Sequence, residues 1–181
     1  PLKDSMMDLS TTNVAGAVYN TYLNNFMNED GSVNWLPVCA DAHGFVVNKD
    51  LFETYDIPLP TDYESFVSAC QAFEKAGIRG FTADYFYDYT CMETLQGLSA
   101  SELSSVDGRK WRTSYSDPGN TTREGLDSTV WPEAFERMER FIRDTGLSRD
   151  DLEMNYDDIV ELYQSGKLAM YFGSSASVKM F

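Results

Sequence analysis

Histidine is almost missing from this chain of 181 residues. His43 stands alone, and cysteine is limited to Cys39, Cys70 and Cys91. No C-x-x-C pair exists, so a structural zinc site has almost no ligands to draw on. The cysteines read as small apolar residues. A serine or cysteine nucleophile would have to use His43 as its base, and there is no Gly-x-Ser-x-Gly elbow. A glycine-rich phosphate loop is also absent. The acidic runs Asp150-Asp151 and Asp157-Asp158 lack EF-hand spacing and read as helix caps and solvated faces. No metal or cofactor is implied.

Basic residues are scarce as well: 14 against 29 acidic ones, a formal net charge of −15. That field repels nucleic acid and anionic lipid, and it disfavours anionic ligands; neutral or cationic ligands fit it better. No apolar run approaches the ~20 residues of a membrane-spanning helix. No basic-then-apolar start marks a signal peptide. The chain opens on Pro1-Leu2-Lys3-Asp4 without an initiator Met. It therefore reads as an excised piece, from which an upstream signal or lipid anchor could have been left out.

Apolar residues make up 43% of the chain, enough for a sizeable core, and aromatics are plentiful, with 11 Tyr, 11 Phe and 3 Trp. Most of them, Trp35 included, are expected in that core. Apolar spacing predicts a helix over 10–27, then strand-like runs at Val33 to Val38 and Phe45 to Asn48. Thr61 and Glu64 read as a capping box that opens a helix with Phe66, Val67, Cys70 and Phe73 inward and Gly77 as its stop. Ile78 to Ala83 reads as a strand, followed by a helix from about Thr90 to Ala100. Residues 101–130 read as a polar loop, with Asn120-Thr121-Thr122 matching a glycosylation acceptor by pattern alone. Pro132 opens a helix with Ala134, Phe135, Met138, Phe141 and Ile142 inward. A helix over about 156–165 and a buried strand from Leu168 to Phe172 complete the pattern. Strands alternate with helices, so the class is α/β.

Several landmarks share an order with a known family. They are Gly31-x-Val33-x-x-Leu36-Pro37, Asn48-Lys49-Asp50-Leu51-Phe52, Ile57, Pro60-Thr61, Lys75-Ala76-Gly77-Ile78, Tyr156, and Ser165-Gly166-Lys167-Leu168-Ala169-Met170. The set resembles family 1 extracellular solute-binding proteins of the maltose-binding type, most closely over 30–80 and 156–173. Val47 and Tyr63 depart from it, standing where Tyr and Trp are usual. The resemblance implies the type II periplasmic-binding-protein fold, two α/β lobes joined by hinge strands, in a chain about twice this long. Residues 1–40 would then end the first lobe and approach the hinge, and 41–181 would form most of the second lobe, with a loop-rich insertion at about 101–130. The implied activity is non-enzymatic: an extracellular receptor, lipid-anchored or periplasmic, that binds a carbohydrate and delivers it to the membrane subunits of an ABC importer.

Sugars present hydroxyl groups and apolar ring faces, so their sites need carboxylate or amide acceptors and aromatic planes. Asp84, Tyr85 and Tyr87 follow a strand end, where open α/β sheets place ligands. Alternation along this stretch argues that not all of it points inward. Gly173, Ser174 and Ser175 follow another strand end. Trp111, in the polar loop, is a candidate for stacking. By resemblance, Asp41, four residues after Pro37, reaches the cleft, with His43 beside it. Against these stand plainer readings: Asp41 as a turn or cap residue, His43 as an ordinary satisfied side chain, and one of the tyrosines as core. Two other functions are open. A glycoside hydrolase would need paired carboxylates such as Asp41 and Asp84, and a surface interaction module would need no small ligand.

Overall fold

A computed structural model of the chain describes residues 5–120 and 129–177. The opening Pro1 to Asp4 and the Thr121-Thr122 part of the glycosylation pattern lie outside them. The chain divides into two compact units, Pro1–Ala42 and His43–Phe181.

The first unit holds two single-turn helices, α1 (Asn13–Gly16) and α2 (Asn20–Leu23), then a 3-10 turn at Asn24–Phe26. The long helix expected over 10–27 is thus broken. Thr12 caps α1 through its side-chain oxygen, whereas Tyr19 supplies no cap to α2. Val33 is fully buried and bridges Met27, and its amide donates to Asp8 Oδ1. Beyond it, 34–42 has no regular structure, so the strand expected there shrinks to that bridge. Trp35 is 62% exposed, which removes it from the core assigned to it.

The second unit is built on a three-stranded sheet of β1 (His43–Val47), β2 (Arg79–Thr82) and β3 (Leu168–Ser174), in the order β1-β3-β2. β3 runs antiparallel to β1, with His43 opposite Ser174, and parallel to β2, with Arg79 opposite Leu168. The parallel pair needs a crossover, which helices supply. α3 (Lys49–Thr54) and α4 (Tyr63–Lys75) lie between β1 and β2, and the crossover from β2 to β3 runs through α5 (Asp88–Leu98), α6 (Ala100–Ser104), α7 (Val106–Ser116), α8 (Trp131–Thr145) and α9 (Tyr156–Gln164).

α4 forms where its apolar spacing places it, burying Phe66, Val67, Ala69, Cys70 and Phe73. Its capping box is shifted by one residue: Asp62 accepts from the Ser65 amide, and the Ser65 side chain accepts from the Asp62 amide. Gly77 and Gly146 follow α4 and α8 with φ of 77° and 74°, the left-handed turn that glycine adopts without penalty. Gly80 answers a different need. A Cβ there would lie 2.5 Å from the Cys70 carbonyl oxygen, so α4 and β2 meet backbone to backbone.

The core between sheet and helices is aromatic. Phe66, Phe81 and Phe141 pack with centroids 5.4–6.0 Å apart, and Phe52 meets Phe73 edge-on at 4.9 Å. Such pairs add about 0.5–1.5 kcal/mol each beyond burial. On α8, Ala134 and Phe141 are buried, but Phe135 is 51% and Ile142 39% exposed, so the apolar stripe is narrower than its spacing implied. The supposed loop after residue 100 is helical through Ser116. Ser105 caps α7 by accepting from the Gly108 amide. Polar composition hid two solvated helices.

Candidate functional site

The ends of β1, β2 and β3 open onto a cavity of about 180 Å³ within the second unit. Its wall combines polar and aromatic groups: His43, Asp84, Tyr89, Thr90, Glu93, Tyr156, Ile159, Tyr171, Phe172, Gly173, Ser174 and Ser177. Each element reaches it for a local reason. β1 begins at His43 and β3 ends at Ser174 because the two pair in that register, which brings His43 beside Phe172 at 6.1 Å between ring centroids. β2 stops at Thr82, and a turn carries Asp84 to the start of α5. On α5, Glu93 follows Tyr89 by four residues and Thr90 by three, so it neighbours both at the helix surface. Tyr156 and Ile159 are neighbours in the same way on α9.

Two carboxylates are held in different ways. Asp84 Oδ1 accepts from Thr90 Oγ1 at 2.9 Å, and its half-burial raises the carboxyl above its ordinary value of 3.8. Glu93 Oε2 lies 3.1 Å from His43 Nδ1, both side chains more than a third exposed. A side-chain pair this exposed adds little stability, ~0–1 kcal/mol, so its geometry is available to a ligand at small cost. Tyr89 is 57% exposed, and its ring stacks on Tyr87 at 5.3 Å, which in turn meets Phe86 edge-on. The result is an aromatic strip that continues outward from the cavity wall.

The structure brings together five of the nine expected site residues in differing degrees. His43, Asp84, Gly173 and Ser174 line the cavity, and Tyr87 adjoins it through Tyr89. Tyr85 does not belong there. It is 6% exposed, and its hydroxyl accepts from Thr94 Oγ1 at 3.3 Å. The Tyr85 amide donates to the Ala83 carbonyl and the Tyr87 amide to that of Asp84, so the chain turns and strand alternation ends before this stretch. Trp111 lies on α7, stacked on Tyr115 at 5.1 Å and edge-on to Trp131 at 5.3 Å, away from the cavity lining. Ser175 is exposed in the turn after β3. Asp41 is exposed in the irregular stretch that ends the first unit. Sequence reasoning missed Tyr89, Glu93, Tyr156 and Phe172 as site residues. The i, i+4 spacing of Tyr89 and Glu93 was the available signal.

Among the described residues there is no His, Cys, Asp or Glu cluster able to hold a metal ion, and no helix is long and apolar enough to cross a membrane.

The pattern described as bacterial extracellular solute-binding protein matches residues 2–181. No curated relative matches. Among solved structures, the chain resembles the apo form of RafE from Streptococcus pneumoniae, at 20% identity and TM-score 0.74, over 99% of this chain and 45% of that one. A probable secreted solute-binding lipoprotein from Streptomyces coelicolor gives TM-score 0.77 at 15% identity, over 97% and 44%. A Bacillus licheniformis sugar transporter protein, solved with stachyose, gives 0.66 at 15%, over 92% and 43%. The fold is thus that of solute-binding proteins, and the chain spans less than half the length of these neighbours.

Proposed function

Because the chain belongs to the bacterial extracellular solute-binding proteins, we propose that its cavity is a sugar subsite of a receptor serving an ABC importer. The receptor captures a neutral sugar or oligosaccharide outside the cell, either lipid-anchored or free in the periplasm, and performs no chemistry on it. One observation carries this reading. Carboxylate acceptors (Asp84, Glu93), hydroxyls (Thr90, Ser174) and aromatic faces (Tyr89, Tyr156, Phe172) surround a single concavity at the strand ends. Carboxylates accept sugar hydroxyl hydrogens, and the rings cover the apolar sugar faces. A volume of about 180 Å³ is below the ~300–1,000 Å³ of complete ligand pockets, which suits one sugar ring better than a whole oligosaccharide. Solved neighbours include RafE bound to raffinose, a protein bound to stachyose and a chitin oligosaccharide binding protein. Those ligands form the natural panel.

The test is a thermal-shift series with raffinose, stachyose, chitin oligosaccharide and galactose, on the 181-residue chain and on any longer protein that carries it. A bound sugar at a hundredfold excess over its Kd adds about 2.7 kcal/mol, a rise in Tm of about 5–10 °C. The sugar should be recovered intact. Uniformly flat melting curves, or cleaved sugar, would refute the receptor reading.

A further inference from the structure

Gly173 and Tyr171 sit two residues apart on β3, on the same face of the strand, and both line the cavity. A Cβ placed on Gly173 would lie 2.3 Å from Tyr171 Cε2 and 3.0 Å from its Cδ2. The tyrosine ring therefore occupies the space that any side chain at 173 would need. Its other sides are closed. Tyr171 is 2% exposed, meets Tyr163 edge-on at 5.5 Å, and packs in a cluster with Ile159 and Leu168. Backbone conformation does not demand a glycine here, since φ is not positive. The demand is for room.

We propose that Gly173 is a specificity-determining residue: by lacking a side chain it lets the Tyr171 ring lie along the strand, and so keeps the cavity open to a sugar ring. This rests on the sugar-subsite reading for the ligand, but not for the geometry. With a methyl at 173 the ring has one open direction left, into the cavity. Room is then lost first for a seated ring that carries a glycosidic substituent, as in raffinose, and later for a free monosaccharide.

Three readouts decide it. A crystal structure of Gly173→Ala should show the Tyr171 ring swung into the cavity; a ring left in place overturns the proposal whatever the ligand. Gly173→Ala should also melt lower by about 3–10 °C, the range expected of overpacking in a chain this size. In the Tyr171→Leu background the same change should leave Tm unaltered, because the clashing ring is gone. An equal loss in both backgrounds counts against the coupling, and this comparison still reads out if the single variant folds poorly. Finally, Gly173→Ala should weaken raffinose at least tenfold and galactose less. Equal loss of both, or none, contradicts a role in specificity. If the wild type binds no sugar of the panel, the receptor reading fails while the ring position still tests the coupling.

Discussion

In the proposed subsite, Asp84 is where stability and binding pull apart. Half-buried beside Thr90, its carboxyl titrates above its ordinary value, chiefly because burial disfavours the charge. The folded chain therefore holds a proton that the unfolded chain has already released. Stability falls as pH rises from about 3.8 toward the raised folded value, and above it the deficit persists. At neutral pH the ionised Asp84 costs the fold something that a sugar hydroxyl could repay. Asp84→Asn keeps an oxygen for Thr90 and removes the charge. It should leave Tm at pH 7 unchanged or higher, remove the part of the fall in Tm that sets in as pH rises above about 3.8, and weaken sugar binding. A variant that melts lower at pH 7 and binds as well as the wild type would show that Asp84 is a structural residue.

Between elements, the most demanding connection is Asp151. Its side chain is 6% exposed and lies in the 3-10 turn Arg149–Glu153. It accepts from Arg79 Nη2, from Thr82 Oγ1 at 2.7 Å, and from the Ser148 amide at 2.7 Å, tying this turn to β2. Asp151→Ala leaves the Thr82 hydroxyl and the Arg79 guanidinium without their shared acceptor. The loss should be about 3 kcal/mol, a fall in Tm of about 6–12 °C measured by calorimetry. A change under about 2 °C would mean that the network is replaceable. Nothing in the sequence pointed to this residue, because Arg79 and Asp151 lie 72 positions apart and the Asp150-Asp151 run resembles any solvated cap. By contrast, α4, α8, α9 and the three strands were legible, since burial imposes a period that Phe66, Phe73, Phe141, Ile159 and Met170 display. The polar helices α6 and α7 bury too little to show one. The cavity was half legible for the same reason. Strand ends mark Asp84, Gly173 and Ser174, whereas Glu93 and Tyr156 arrive on helices whose placement is tertiary, and Tyr85 turns inward only because the backbone turns after β2.

At the scale of the whole molecule, the chain carries a net charge of −15, and its cavity is lined by tyrosines, hydroxyls and carboxylates. Such a field selects against phosphorylated or uronic sugars and is indifferent to neutral ones. The chain belongs to the extracellular solute-binding proteins, and the place proposed for one sugar ring is the concave wall at the strand ends. The most direct measurement is isothermal titration of raffinose, stachyose and chitin oligosaccharide into the wild type, Tyr89→Ala and Asp84→Asn. The expected result is saturable binding of at least one neutral sugar, weakened about tenfold by loss of the Tyr89 ring, whose contact is worth up to ~1.5 kcal/mol, and weakened again by Asp84→Asn. No heat with any of them, or binding that both substitutions leave untouched, would contradict a sugar site in this cavity.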